Sequence, residues 1–206
     1  MNVRAHIVLL AAALSLGACS SQSTHYYTLI APQDAASAAV AQPLFQFNML
    51  PVSIPVQVDQ PQVVLRDGDG SLAILESELW GGPLGDEFHD ALTGQLERRF
   101  GVRDLAGLPR QSDQPVLSVR TDVRRFESVL NQYALIDVVW NLSLSSRDNK
   151  RRNLTCSSVI REPAGAGVKN LVLAHQRAVA NLADAIAKTA DDWTREPVSR
   201  CWSGAQ

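Results

Sequence analysis

The residue most clearly suited to chemistry is Cys19, which follows Leu16-Gly17-Ala18. A bulky aliphatic residue, two small residues and a cysteine form the pattern that bacterial enzymes acylate at the cysteine and cleave just before it. Several acyl chains on one cysteine give durable membrane anchoring, because each buried methylene contributes about 0.8 kcal/mol. The sequence therefore predicts lipidation at Cys19. The alternative is an ordinary secretory signal with an incidental cysteine.

The residues before Cys19 have the organisation of an export signal. Arg4 supplies a positive charge, and the apolar run 7–16 is shorter than the roughly 20 residues that span a bilayer. The residue after the cysteine is Ser20 rather than an aspartate, and in many Gram-negative bacteria this choice sends a lipoprotein onward to the outer membrane. The sequence therefore predicts a location on the periplasmic face of the outer membrane. We predict these boundaries: signal peptide 1–18, lipidated tether 19–25, a single domain 26–193 and a C-terminal tail 194–206.

The two remaining cysteines, Cys156 and Cys201, would reside in an oxidising compartment once the chain is exported. Disulfides form and persist in such compartments. We therefore predict a Cys156–Cys201 disulfide, and the alternative is two separate buried thiols.

No catalytic or metal-binding pattern accompanies the anchor. The histidines of the predicted mature chain, His25, His89 and His175, lie in no recognisable catalytic or ligand spacing, and no nucleophile motif is present. His175 falls on the apolar stripe of a predicted helix, where a hydrogen-bonded core histidine is more common than a ligand. The sequence thus predicts no enzyme activity, no cofactor and no metal site. Without Arg4 the formal balance is 18 basic against 21 acidic residues, which argues against nucleic acid as a partner.

Three residues are candidates for contact with a protein partner. Trp80 precedes Gly81-Gly82-Pro83 at the entry to a helix, and exposed aromatic residues beside loops are frequent contact anchors. Pro51 and Pro55 bound a short segment that a sheet cannot fully enclose. The alternative for Trp80 is that its side chain fills the end of the sheet.

The elements that would position these residues follow from the periodicity of apolar residues. Spacings of three and four predict helices from Pro83 to Gly101 and over about 168–193. Alternation and β-prone composition predict strands at 26–30, 45–54, 63–66, 71–75, 116–126, 134–144 and 152–160. The predicted fold class is α/β (α+β): an antiparallel-rich sheet covered on one face by two main helices, a two-layer sandwich.

Several segments together resemble one family, the ABC-type transport auxiliary lipoproteins, including the PqiC (YmbA) group. The resemblance covers most of the predicted mature chain and rests on Tyr26-Tyr27-Thr28-Leu29, Pro51-Val52-Ser53-Ile54-Pro55, 59–66, Glu78-Leu79-Trp80-Gly81-Gly82-Pro83-Leu84, and Arg125-Phe126-Glu127 followed by Trp140. Gly81-Gly82 departs from the larger residues expected between that tryptophan and the proline.

The resemblance implies an α/β domain without enzymatic activity. Its partners would be an MCE-domain protein and an inner-membrane permease and ATPase complex that move lipids between the two membranes, and the family also implies a homo-oligomeric ring. The alternative is an accessory lipoprotein of outer-membrane assembly or secretion, which would share the anchor but bind a barrel or a secretin.

Overall fold

The computed structural model describes residues 23–32, 45–68, 70–109, 111, 114–146, 150–196 and 200–202. Within these residues the chain forms, in order, β1 (His25–Tyr27), β2 (Gln46–Met49), β3 (Gln62–Asp67), β4 (Ser71–Trp80), α1 (Leu84–Phe100), β5 (Val116–Val129), β6 (Tyr133–Ser145), β7 (Arg151–Pro163) and α2 (Val168–Arg195). The predicted helices and strands are all present, with shifted ends.

The strands form two sheets rather than the single sheet that the sequence predicts. One has the order β1-β4-β3 and the other the order β2-β5-β6-β7. The β5-β6-β7 meander is antiparallel, as the three alternating segments with short links predict. The two early strands instead pair in parallel, β1 with β4 and β2 with β5.

Both helices begin and end near the residues that the sequence predicts. Pro83 stands at the start of α1, and Gly101 ends it in a left-handed conformation with φ 69°, its amide donating to the Glu97 carbonyl at 2.8 Å. The helix α2 places an apolar stripe against the sheet, and its buried residues include Leu171, Val179, Leu182, Ile186 and Trp193.

The core lies between the sheets and the two helices, so the predicted α+β class and two-layer arrangement are confirmed. Trp140, on the inner face of β6, is 1 % exposed. The helices are also joined to each other: the Arg99 guanidinium donates to the Asp184 carboxylate at 2.8 Å and to the Ala180 carbonyl at 3.0 Å.

The described part of the C-terminal tail is fastened to the domain. Cys156 on β7 and Cys201 form a disulfide, the pairing that the cysteine count predicts. The backbone amide of Trp202 donates to Thr189 Oγ1 at 3.0 Å, and Lys188 Nζ lies 4.1 Å from the centre of the Trp202 ring. The tail therefore packs along α2 and β7.

Candidate functional site

A cleft of about 340 Å³ opens between three segments of the chain: residues 55–58, the β3–β4 hairpin, and residues 124–128 near the end of β5. We call it the hairpin cleft. Its lining combines apolar side chains, among them Val58 and Leu72, with the guanidinium groups of Arg66, Arg124 and Arg125. The cleft therefore offers apolar surface and positive charge side by side.

Glu127 lies at the centre of the charged groups in the hairpin cleft and is only 8 % exposed. Arg125 donates to its Oε1 at 2.9 Å, and this hydrogen bond raises the pKa of the Arg125 guanidinium. Arg66 Nε lies 3.2 Å from the same oxygen, close enough for an ion pair, but without hydrogen-bond geometry to any described atom. The carboxylate thus holds two arginines at one wall of the cleft.

The inner wall of the cleft is continuous with a buried aromatic cluster. The Phe126 ring stacks on His175, with centroids 4.0 Å apart and planes 4° from parallel, and Trp80 meets Phe126 edge-on at 6.1 Å. Ser128 Oγ lies 2.8 Å from His175 Nε2. A tightly packed floor of this kind fixes the backbone that carries Arg125 and Glu127.

His175 is fully buried on α2, as its place on the apolar stripe predicts. Burial lowers its pKa from 6.5 to about 3, because the charged imidazolium would lose its hydration. Its Nδ1 has no hydrogen-bond partner among the described residues. The histidine is therefore a neutral member of the core.

The prediction that Trp80 is an exposed contact anchor is wrong. Its side chain is only 4 % exposed, because Phe126 from β5 closes over it. Trp80 fills the end of the sheet, which is the alternative that the sequence left open.

The segment from Pro51 to Pro55 remains at the surface. Its backbone is fixed to β5, since Ser53 donates to the Thr121 carbonyl at 3.3 Å and accepts from the Val123 amide at 2.9 Å. Val56, just beyond it, is 84 % exposed and stands beside the hairpin cleft, which Pro55 lines. This segment therefore stays a candidate for partner contact.

The most important residue that the sequence reasoning missed is Glu87, in the first turn of α1. Its Oε2 accepts from Thr28 Oγ1 at 2.6 Å and from the Leu29 amide at 2.9 Å. A Cβ at Gly81 would lie only 3.0 Å from Glu87 Oε1, so a larger residue there would displace the carboxylate. The pair Gly81-Gly82 before a helix-opening proline is the signal that could have indicated this close approach.

Glu78 and Tyr27 fasten the exposed start of β1 to β4. Tyr27 Oη donates to Glu78 Oε2 at 2.5 Å, and His25 Nδ1 lies 3.0 Å from Oε1. Burial, together with the Glu78 carboxylate, raises the pKa of Tyr27 to about 12. Burial acts to raise the pKa of Glu78, but the hydrogen bonds from Tyr27 and His25 lower it overall.

Cys19, the signal peptide 1–18 and most of the tether lie outside the described residues. The described part contains no group of three or more acidic, histidine or cysteine side chains arranged to hold a metal ion. None of its helices is both long and apolar enough to cross a bilayer.

Fold and site together define an α+β domain with an open cleft of apolar and charged side chains. A family model described as the ABC-type transport auxiliary lipoprotein component matches residues 27–187. The chain belongs to this family, of which the PqiC group is a member.

Two solved structures have the same overall fold. A protein from Xanthomonas campestris is 17 % identical with a TM-score of 0.56, over 85 % of this chain and 100 % of its own. A crystal structure described as that of an uncharacterized protein is 18 % identical with a TM-score of 0.59, over 81 % of this chain and 98 % of its own. No curated protein matches the sequence significantly.

Proposed function

We propose that this chain is a docking subunit of an ABC-type transport system, anchored by Cys19 to the periplasmic face of the outer membrane. It binds without catalysing, and its partners are an MCE-domain protein and an inner-membrane permease and ATPase complex that move lipids between the membranes. The observation that carries this proposal is the family match over residues 27–187, whose family description is that of a transport auxiliary lipoprotein. A homo-oligomeric ring is part of the same proposal.

The hairpin cleft and the adjoining Pro51–Pro55 segment form the proposed docking surface. Exposed apolar side chains border it: Val56 is 84 % exposed, Leu72 48 % and Ile74 47 %. The arginines around Glu127 add directional donors beside these apolar groups. Binding energy at an interface usually concentrates in a few side chains, and arginine is among those most often involved.

The test uses the full-length protein, captured from detergent-solubilised envelopes together with its partners. The double variant Val56→Glu, Leu72→Glu places two charges on the docking surface, and we expect at least a tenfold loss of the recovered MCE-domain protein, equivalent to about 1.4 kcal/mol. The matched control is Val159→Glu, since Val159 is also 64 % exposed but lies on β7, away from the cleft. Thermal unfolding of each variant checks that it is folded.

Three results would contradict the proposal or one of its parts. Recovery of a barrel-assembly protein or a secretin instead of the transport components would favour the alternative accessory lipoprotein. Equal recovery of the MCE-domain protein with the double variant and the control would remove the hairpin cleft from the interface. A strictly monomeric mass by light scattering, over a wide concentration range, would reject the ring.

A further inference from the structure

A row of polar side chains crosses the open face of the four-stranded sheet. The register pairs Asn48 with Ser118, Ser118 with Ser143, and Ser143 with Asn153. Because directly opposed residues share one face of a sheet, these four side chains form a continuous row across β2, β5, β6 and β7. At the usual spacing between strands the row is about 14 Å long.

An arginine lies on each side of this row. Arg120 is paired with Asn141 on one side, and Arg151 with Ser145 on the other. The row and these four residues surround a cleft of about 320 Å³, which Leu50 completes. We call it the sheet-face cleft, and it is separate from the hairpin cleft.

The electrostatics of the sheet-face cleft favour an anion. No carboxylate is among the described residues that line it, and neither Arg120 nor Arg151 belongs to an ion pair within the described part of the chain. Asp122, the next outward residue on β5, is paired with Arg124 at 3.1 Å and does not line the cleft. Among the described residues, the lining therefore carries two positive charges and no negative one.

The remaining polar groups in the cleft can hydrogen-bond to the hydroxyl groups of a ligand. Serine hydroxyls and asparagine amides can both donate and accept hydrogen bonds, so they match the hydroxyl groups of a polyol in either direction. Asn141 uses its Nδ2 to donate to the Leu154 carbonyl at 3.1 Å and to Thr155 Oγ1 at 2.9 Å. Its position is thereby fixed, and its side-chain carbonyl oxygen is left to accept from a ligand.

We propose that the sheet-face cleft binds a phosphate ester of a polyol, with glycerol phosphate as the simplest case. Arg120 and Arg151 hold the phosphate, because guanidinium groups match phosphate oxygens in charge and in geometry. The serine and asparagine row holds the hydroxyls. The same chemical group occurs in a free ester and in a phospholipid headgroup, and this assignment stands independently of docking at the hairpin cleft.

Isothermal titration of the detergent-solubilised full-length protein with sn-glycerol 3-phosphate tests the assignment. We expect Arg120→Ala and Arg151→Ala each to weaken binding at least about tenfold, since each removes a charge-assisted contact. The matched control is Arg161→Ala, an exposed arginine on the same face of β7 outside the cleft, which we expect to bind within about twofold of the unaltered protein.

Further titrations distinguish the two sources of the ligand. Tighter binding of dihexanoyl phosphatidylglycerol than of glycerol 3-phosphate, with the same loss in both cleft variants, assigns a lipid headgroup. Equal or weaker binding assigns the free ester. The proposal is overturned if neither compound binds, if the cleft variants bind as the Arg161 variant does, or if inorganic phosphate binds as tightly as the esters.

Discussion

Replacing His175 by glutamine should change how the stability of this protein depends on pH. In the folded protein His175 is neutral, because burial holds its pKa at about 3. In the unfolded chain the imidazole has its ordinary pKa of 6.5 and takes up a proton below that value. The unfolded state then binds more protons than the folded state, so stability is complete above pH 6.5 and falls as the pH falls.

The size of the effect follows from the difference between the two pKa values. Each pKa unit corresponds to about 1.36 kcal/mol, so a shift from 6.5 to about 3 amounts to about 5 kcal/mol at most. Between pH 8 and pH 5, His175 titrates appreciably in the unfolded chain but not in the folded protein. The free energy of unfolding therefore falls by about 2 kcal/mol on account of this residue. Other titrating groups add their own dependence, which the unaltered protein and the variant share.

Urea unfolding at pH 8 and at pH 5 measures the difference. The unaltered protein should lose about 2 kcal/mol more than His175→Gln, whose amide can still meet Ser128 but cannot be charged. The matched control is His89→Gln, because His89 lies on α1 but is not one of the residues that this helix buries in the core. If the unaltered protein and His175→Gln lose the same free energy of unfolding between the two pH values, His175 is not a buried neutral histidine. It then does not stack on Phe126 inside the core.

Four further predictions concern stability and anchoring. Trp80→Ala should cost about 3–5 kcal/mol in denaturant unfolding, because it empties a core site; a change below about 1 kcal/mol would contradict its burial. Glu87→Ala should cost about 1–3 kcal/mol by leaving the buried Leu29 amide without a partner, whereas Glu76→Ala, at an exposed position on β4, should change little. Cys201→Ser should cost about 3–4 kcal/mol by opening a 45-residue loop, and unchanged melting under non-reducing conditions would refute this. Cys19→Ala should release the protein from membranes or leave it unprocessed, and a processed variant still firmly in the outer membrane would reject the anchor.

The helices and the meander were predictable because their signals are local. Pro83 and Gly101 mark the two ends of α1, and alternating side chains mark β6 and β7. The parallel pairing of β1 with β4 was not predictable in this way, since it joins residues more than 50 positions apart. β1 also ends at Tyr27 although the β-prone run continues, because Glu87 takes the Thr28 hydroxyl and the Leu29 amide.

Trp80 shows how a local signal can mislead about exposure. The glycines beside it suggest a flexible, open turn. In the folded protein they permit a close approach instead: the Gly81 amide donates to the Tyr27 carbonyl at 2.7 Å, and the Glu87 carboxylate fits against the Gly81 Cα. The tryptophan is then enclosed by Phe126, a residue that arrives from β5 and that no feature near Trp80 could indicate.

A bulge in β5 explains why the hairpin cleft could not be derived from strict alternation. Up to Val123 the odd-numbered residues of β5 face the core, which would place Phe126 outward. The register passes from Val123 opposite Val138 to Arg125 opposite Asp137, so Arg124 is an extra residue and the alternation reverses. Phe126 then turns inward onto His175, while Arg124 and Arg125 both border the cleft. The break in alternation at these two consecutive arginines is the feature of the sequence from which the site could have been located.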